Sequence, residues 1–588
     1  MTIRHEQLEA GKFFTSSFLA LTGYPPMPWQ ARLFGTHFVS GSLPEAVSIP
    51  TGLGKTAVMA VWLIGFAWQM RNQAAPSLPR RLVYVVDRRA VVDQSTIFAE
   101  KLREALATPA ANELRTALGF TEDQKLAIST LRGQFVDNRE WLENPSRPAI
   151  IVGTVDMIGS RLLFEGYGVS RRMRPYHAGL LGADSLVMLD EAHLVPPFEA
   201  LLATIASGPH VYGAHTKEDR KRIPEFKVLP LSATNRNSGA DVFALEAQDY
   251  DDPADEGAKR TRKRLDAVKR LRIETAGTRN LPQAIAERAW EVSGEGVNDV
   301  RCLIYCDRRD DAQRAFDDLL DRLIRRAKTE MRKAKGESKE QHEVRVSVAV
   351  QERIELFVGA RRVCERQQAQ KRLEALGFLA DSKSNLGSAT YLVATSAGEV
   401  GVDLDADHLV CDLVAWERMV QRFGRVNRRG RVSADILIVA PPPEAPKTKL
   451  PDKLQIAALS DPSKPVKPKK PGKKATTEEY GAYSQAISRF NREEADYKEA
   501  LKLFKDKQKR QQKAEDNYQE ALAKYREDWA PTILYKERIS LLERLNGDAS
   551  PRALLNLLAN TVADTGFAHA IQACSTAVPL RPALSRPL

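Results

Sequence analysis

Residues 48–60 read SIPTGLGKTAVMA, with two glycines, a lysine and a threonine set between a short apolar run and a long one. The short run, Glu45 to Ile49, is bounded by a proline and reads as a buried strand. Ala57 to Met70 is apolar almost all round, the pattern of a buried helix. Between them the backbone must turn sharply after Thr51, and Gly52 and Gly54 permit conformations in which successive amide N–H groups converge on one point. An anion fits there, at the positive end of a helix. Lys55 can then reach the β- and γ-phosphates of a nucleotide, and the Thr56 hydroxyl can ligate Mg2+. The strict pattern GxxxxGK[ST] asks for glycine at position 49, where this chain has Ile49. A glycine-rich turn with a surface lysine therefore stays open at this point.

A chain of 588 residues is too long for one hydrophobic core, and three or four domains are expected. With 43% hydrophobic and 28% charged residues it has the composition of a globular protein, neither disordered nor fibrous. The net charge of +12 suits a polyanionic partner, although part of it sits in one lysine-rich tract. No run of about 18 uncharged apolar residues occurs. The opening MTIRHEQLEAGKFF is too polar for a signal peptide, so a cytoplasmic protein without a membrane partner is expected. The five cysteines are scattered, and Cys302 and Cys306 flank the apolar run LIY, where strand packing explains them better than a metal does.

Short apolar runs recur between helical stretches: LVYVV (82–86), AIIV (149–152), SLVML (185–189) and KVLPL (227–231). This alternation means βαβ units and a parallel sheet. After a charged stretch near 235–270 the pattern restarts with CLIY (302–305), ELFV (355–358), YLVA (391–394), HLVCDL (408–413) and DILIV (435–439). The fold class is therefore α/β, with two parallel-sheet domains in tandem, 1–245 and 246–440. A proline- and lysine-rich linker, 441–475, should be extended. In 476–530, Thr476 and Glu479 make a capping box, and two amphipathic halves flank the polar run Lys505 to Asn517. That pattern suggests a helical hairpin or one long helix, and interspersed acids favour a solvated spacer over a nucleic-acid clamp. Residues 531–588 read as a small helical C-terminal region.

A phosphate loop needs an acid to hold the metal and a base to orient water. Asp190 and Glu191, in LDEAHLV, follow the strand SLVML and so fall at its carboxyl end beside the phosphate loop. Asp190 would bind Mg2+ through water and Glu191 would polarise the attacking water, with His193 placed to sense the nucleotide. The acidic start of a helix is the bland alternative. More blocks match. Ser232-Ala233-Thr234 leaves the strand KVLPL, and VATSAGEVGVDLDADH (393–408) sets Thr395, Gly398, Gly401 and Asp403 after another strand. MVQRFGRVNRRG (419–430) then presents Gln421, Arg422, Arg425 and Arg428, the two later arginines expected near one face of a helix. Arginines offered across a cleft to the γ-phosphate stabilise transition-state charge.

These blocks, in this order, resemble the motifs of superfamily 2 helicases of DEAH type: PTGLGKT, DEAH, SAT, ATSAGEVGVD and QRFGRVNRRG, over roughly residues 25–440. The resemblance implies ATP and Mg2+ held between two RecA-like domains, with nucleic acid crossing both. It makes Lys55, Glu191, Gln421, Arg425 and Arg428 catalytic, and it puts Thr51, Gly52, Gly54, Thr56, Gly401 and Asp403 at the nucleotide. His193, Ser232 and Thr234 couple the parts. Gln30, in PPMPWQARLF, stands like the family glutamine that reads adenine. VVDRRAVVDQ (85–94), TLRGQ (130–134) and GTVDMIGSR (153–161) fall where strand-gripping motifs lie, so Arg88, Arg89, Arg132 and Thr154, with Thr395, are expected on nucleic-acid phosphates.

Within that superfamily, VDRRAVVDQ, TLRGQ, MLDEAHLVPPF, FVGARR and QRFGRVNRRG together look most like the CRISPR-associated helicase of type I systems, closest to its I-U/I-G form. That family implies a motor recruited by an RNA-guided CRISPR effector complex and moving 3′ to 5′ on the displaced single-stranded DNA. It also implies an HD-type nuclease, joined or separate. None of the nine histidines is followed by aspartate, so no HD dipeptide exists in this chain. No nuclease activity is expected from it. The end at Leu588 falls about where a nuclease domain would begin in these relatives, so either truncation or a separate nuclease subunit is expected. A restriction-type motor, an RNA remodeller and an inactive ATP-binding scaffold are the rival readings.

Overall fold

A computed structural model describes residues 2–73, 75–87, 89–132, 138–208, 216, 218, 224–232, 241–277, 280–358, 368, 371–379, 387–399, 403–452, 454, 458–472, 476–563 and 565–575. Among them, β1 (Ala46–Ser48), β2 (Arg81–Val86), β3 (Ala127–Leu131), β4 (Ala149–Thr154), β5 (Ser185–Asp190), β6 (Lys227–Ser232) and β7 (Val242–Ala244) form a parallel sheet in the order β3-β4-β2-β5-β6-β1-β7. Its strands read as unbroken apolar runs because both faces are covered. Leu82, Tyr84 and Val86 point to the core that contains the Val58–Asn72 helix, while Val83 and Val85 point to the opposite core with Met157 and Leu202.

The second sheet is also parallel. It contains β8 (Lys269–Glu274), β9 (Arg301–Tyr305), β10 (Ile354–Phe357), β11 (Thr390–Ala394), β12 (His408–Asp412) and β13 (Ala434–Val439), in the order β10-β11-β9-β12-β13-β8. β8, KRLRIE, lies in what reads as charged connecting sequence. It is an edge strand whose Arg270 and Arg272 face water, so it alternates instead of running apolar. Cys302 and Cys306 are buried in the core of this sheet, as strand packing requires.

Residues 1–442 and 538–588 form one compact unit and 443–537 another. The 67-residue helix Thr477–Glu543, most of which belongs to the second, is unbroken through the polar middle, so the hairpin alternative is not adopted. Thr476 and Glu479 cap it reciprocally, Thr476 N on Glu479 Oε2 at 2.7 Å and Glu479 N on Thr476 Oγ1 at 3.3 Å. The extended chain before it is tied along its side, with Thr448 N on Asp528 Oδ2 at 2.8 Å and Trp529 Nε1 on Thr448 O at 2.9 Å. In the first unit, residues 545–549 run antiparallel to β8: Leu271 N donates to Gly547 O at 2.8 Å and Ala549 N to Lys269 O at 2.9 Å. The helix Pro551–Ala563 follows, its Leu555 packed on the core of the first sheet and its Arg552 paired with Asp266. No helix among the described residues is long and apolar enough to cross a membrane.

Candidate functional site

β1 delivers the chain to the glycine turn, with Ile49 N held on Ser232 O of β6 at 3.0 Å. Gly52 and Gly54 sit at φ 85° and 80°, the left-handed region that a side chain resists. Two residues of the upstream helix pin the turn from outside. Trp29 Nε1 donates to Leu53 O at 3.2 Å, and Gln30 Nε2 to Gly54 O at 3.3 Å while its Oε1 accepts from Met27 N. Lys55–Ala57 make one 3-10 turn before the Val58–Asn72 helix begins. Lys55 is only 9% exposed and its Nζ donates to Glu191 Oε1 at 3.0 Å.

Asp190 ends β5, and Glu191 follows in the left-handed conformation at φ 50°, uncommon for a residue with a side chain. Burial, then the neighbouring Glu191 charge, raises the Asp190 carboxyl to about 6, against the pull of Lys55. Asp190 Oδ1 is buried and has no hydrogen-bond partner. A buried carboxylate oxygen left open, with a threonine that meets the same Tyr84 hydroxyl, fits a hydrated divalent cation, so Asp190 and Thr56 suit Mg2+.

The second sheet faces this loop through the segment after β12. Its helix Trp416–Phe423, which holds the buried Gln421, stops before Gly424. Arg425 and Arg428 therefore lie on a turn, which corrects the expectation of a shared helix face. Asn427 makes the turn: it adopts φ 44°, its Oδ1 accepts from Arg431 N at 2.8 Å and its Nδ2 donates to Val268 O at 3.2 Å. Contact with the phosphate loop is direct. A Cβ on Gly424 would run into the Thr51 hydroxyl, and one on Gly52 would meet Arg428 Nε at 3.6 Å.

Arg428 N donates to Asp405 Oδ1 at 2.9 Å, and its guanidinium pairs with the exposed Asp403. Burial and the nearby Arg264 and Arg429 pull Arg428 down to about 10. Arg425 Nε donates to Glu399 O at 2.9 Å. Two further contributors have no motif to mark them. Arg264, from the Glu256–Leu265 helix, donates to Gly52 O at 2.7 Å. Lys269, at the start of β8, is fully enclosed and donates to Phe423 O at 2.7 Å, capping the arginine helix; burial lowers it to about 7.

Arg422 has a different part from its neighbours. It is completely buried, its Nε on Glu399 Oε1 and its Nη1 on Asp412 Oδ1, each at 2.7 Å, with Arg418 also on Glu399. Burial alone would lower its pKa, but Asp412 and Glu399 outweigh that and hold it well above its ordinary value. Arg422→Met should cost about 3–5 kcal/mol in a denaturant titration, because Glu399 and Asp412 would stay buried with too little compensating charge. A variant as stable as the parent would show the network to be dispensable.

Of the residues expected on nucleic acid, Arg132 and Thr154 sit at strand ends on the opposite side of the first sheet from β1, and Thr395 follows a strand of the second sheet. Arg132 follows β3 and pairs with Asp93. Thr154, which ends the adjacent β4, is 5% exposed and caps the next helix, accepting from Met157 N at 3.4 Å. Thr395 follows β11 and is nearly buried at the start of the turn Ser396–Gly398. Ser232 lies at the end of β6 beside Ser48. Arg88, Thr234 and Gly401, with the side chains of Arg89 and His193, lie outside the described residues.

Residues 301–431 match the family described as CRISPR-associated nuclease/helicase Cas3, C-terminal. No curated protein matches the sequence. Among solved structures, the Mycobacterium smegmatis helicase Lhr bound to ssDNA and AMP-PNP is similar at 16% identity and a TM-score of 0.45, over 71% of this chain and 46% of that one. Mss116p bound to ssRNA and AMP-PNP is similar at 15% identity and a TM-score of 0.45, over 72% of each chain. T. fusca Cas3 with AMPPNP is similar at 14% identity and a TM-score of 0.44, over 73% of this chain and 48% of that one. The chain thus spans less than half the length of Lhr and of that Cas3. Residues 301–431, which carry β9 to β12 and the arginine turn, match the Cas3 C-terminal family, and the chain carries two parallel sheets in tandem.

Proposed function

We propose that this chain is an ATP-dependent motor that moves 3′ to 5′ on single-stranded DNA in type I CRISPR interference. The observation that carries the reading is the seating of Gly424 and Arg428 on Thr51 and Gly52, so that residues from both sheets surround one anion position. Lys55 would leave Glu191 for the β- and γ-phosphates of ATP, and Glu191, released, would orient the attacking water. Arg425 and Arg428 would meet the charge that develops on the γ-phosphoryl, with Gln421 beside them. Mg2+, when bound by Thr56 and Asp190, would neutralise phosphate charge. Hydrolysis would loosen the contact between the sheets, and each cycle would shift the grip on the strand held by Arg88, Arg89, Arg132, Thr154 and Thr395. The Cas3-like segment supports recruitment by an RNA-guided complex.

Phosphate release measured with single-stranded DNA and with RNA of the same length tests the choice of track. Stimulation by DNA is expected to exceed that by RNA; a preference for RNA would replace the reading with an RNA remodeller. Duplexes with a 3′ or a 5′ tail report direction in the same assay, with displacement expected only from the 3′ tail. Adding Mn2+, Ni2+ or Co2+ should leave the DNA uncut, and robust cleavage would overturn the expectation that this polypeptide has no nuclease activity.

A further inference from the structure

Tyr84 lies in the middle of β2, in a run that otherwise only fills the core. Register puts it opposite Met188 of β5, and because alternate residues share a face, Asp190 projects from that same face two positions on. The helix that packs on this face is the one that grows out of Lys55 and Thr56. Tyr84 is wholly buried with its hydroxyl against Asp190 and Thr56, yet neither that hydroxyl nor Asp190 Oδ1 makes a well-formed hydrogen bond. Two orphaned polar atoms in one dry place need a reason, since leaving either without a partner costs roughly 1–3 kcal/mol. A phenylalanine would fill the same volume without that penalty. The hydroxyl meets both Asp190 and Thr56.

We propose that Tyr84 is a positioning residue of the divalent-cation site: its hydroxyl orients Asp190 and Thr56 so that they accept hydrated Mg2+ together with ATP. The proposal rests on the ATPase reading above. With the site occupied, the phenol O–H would donate to Asp190 and its oxygen would accept from Thr56, which would satisfy both open atoms. Partners that orient metal-binding groups in this way are worth about 10–100-fold in metal affinity.

Tyr84→Phe removes one oxygen and leaves the ring in the core. Binding of a fluorescent ATP analogue, titrated with Mg2+ and repeated in EDTA, reads the effect without turnover. The half-saturating Mg2+ concentration should rise about tenfold or more, while binding in EDTA stays that of the parent. In turnover assays the Mg2+ requirement should shift more than kcat measured at saturating Mg2+. Asp190→Asn supplies the second arm. If Tyr84 acts through Asp190, adding Tyr84→Phe to it produces no further shift; full additivity would sink the proposal. A parent that responds to Mg2+ beside an unshifted Tyr84→Phe overturns the role of Tyr84 alone. A parent that binds no nucleotide with or without Mg2+ removes the ATPase reading, and this proposal with it.

Discussion

Lys55→Ala is expected to lower ATP turnover by about 10²–10³-fold or more, the loss seen when one preorganised donor to a developing anion is deleted. Lys55 is the cation that the proposed reading sets on the phosphates, and it is enclosed at 9% exposure, where a charge acts through a weaker screen than on the surface. The variant also leaves Glu191 without its partner at 3.0 Å, so the folded state should lose some stability as well. Thermal unfolding beside single-turnover phosphate release separates the two effects. Turnover within a few-fold of the parent, from a folded variant, would show that this loop does not hold the γ-phosphate.

Glu191→Gln should behave differently. The amide keeps the shape of the carboxylate and can still meet Lys55, but it cannot take a proton. Hydrolysis should fall by about 10²–10⁴-fold, the range of a lost general base, with ATP binding retained or tightened. Tightening is the sharper expectation, because Lys55 no longer has to give up an ion pair before it reaches the phosphates. Glu191 holds φ 50°, a conformation few residues adopt without compensation, and the glutamine side chain leaves that backbone unchanged. Normal turnover with normal binding would remove Glu191 from the chemistry. Loss of both would make it a structural partner of Lys55.

Parallel strands sheathed on both faces announce themselves in sequence as apolar runs, and β2, β4, β5, β6, β9, β11, β12 and β13 were legible for that reason. β8 was not, because an edge strand alternates, and KRLRIE sets Arg270 and Arg272 outward between the buried Lys269 and Leu271. β7 has three residues, too few to show any period. The glycine turn after β1 and the acids that end β5 are local patterns, so their places in the fold could be read too. What local spacing cannot carry is contact between distant segments. Arg264 on Gly52, Lys269 beneath Phe423 and Tyr84 beside Asp190 join residues with no common motif. Arg422 shows the converse. It stands in an arginine-rich block that reads as phosphate-seeking, and only the fold shows it sealed against Glu399 and Asp412. A signal for the turn was available in Asn427 and Gly430, since asparagine and glycine are the residues that tolerate left-handed backbone.

The outward edge of β8 is covered by residues that the ribosome makes long afterwards. Leu271 waits for Gly547, and the whole 67-residue helix is translated in between. At about 5–20 residues per second that interval is on the order of tens of seconds. For that time the nascent second sheet presents open N–H and C=O groups that any other extended chain could pair with. Arg270 and Arg272, standing outward on the same strand, are suited to keeping such chains away until the proper one emerges.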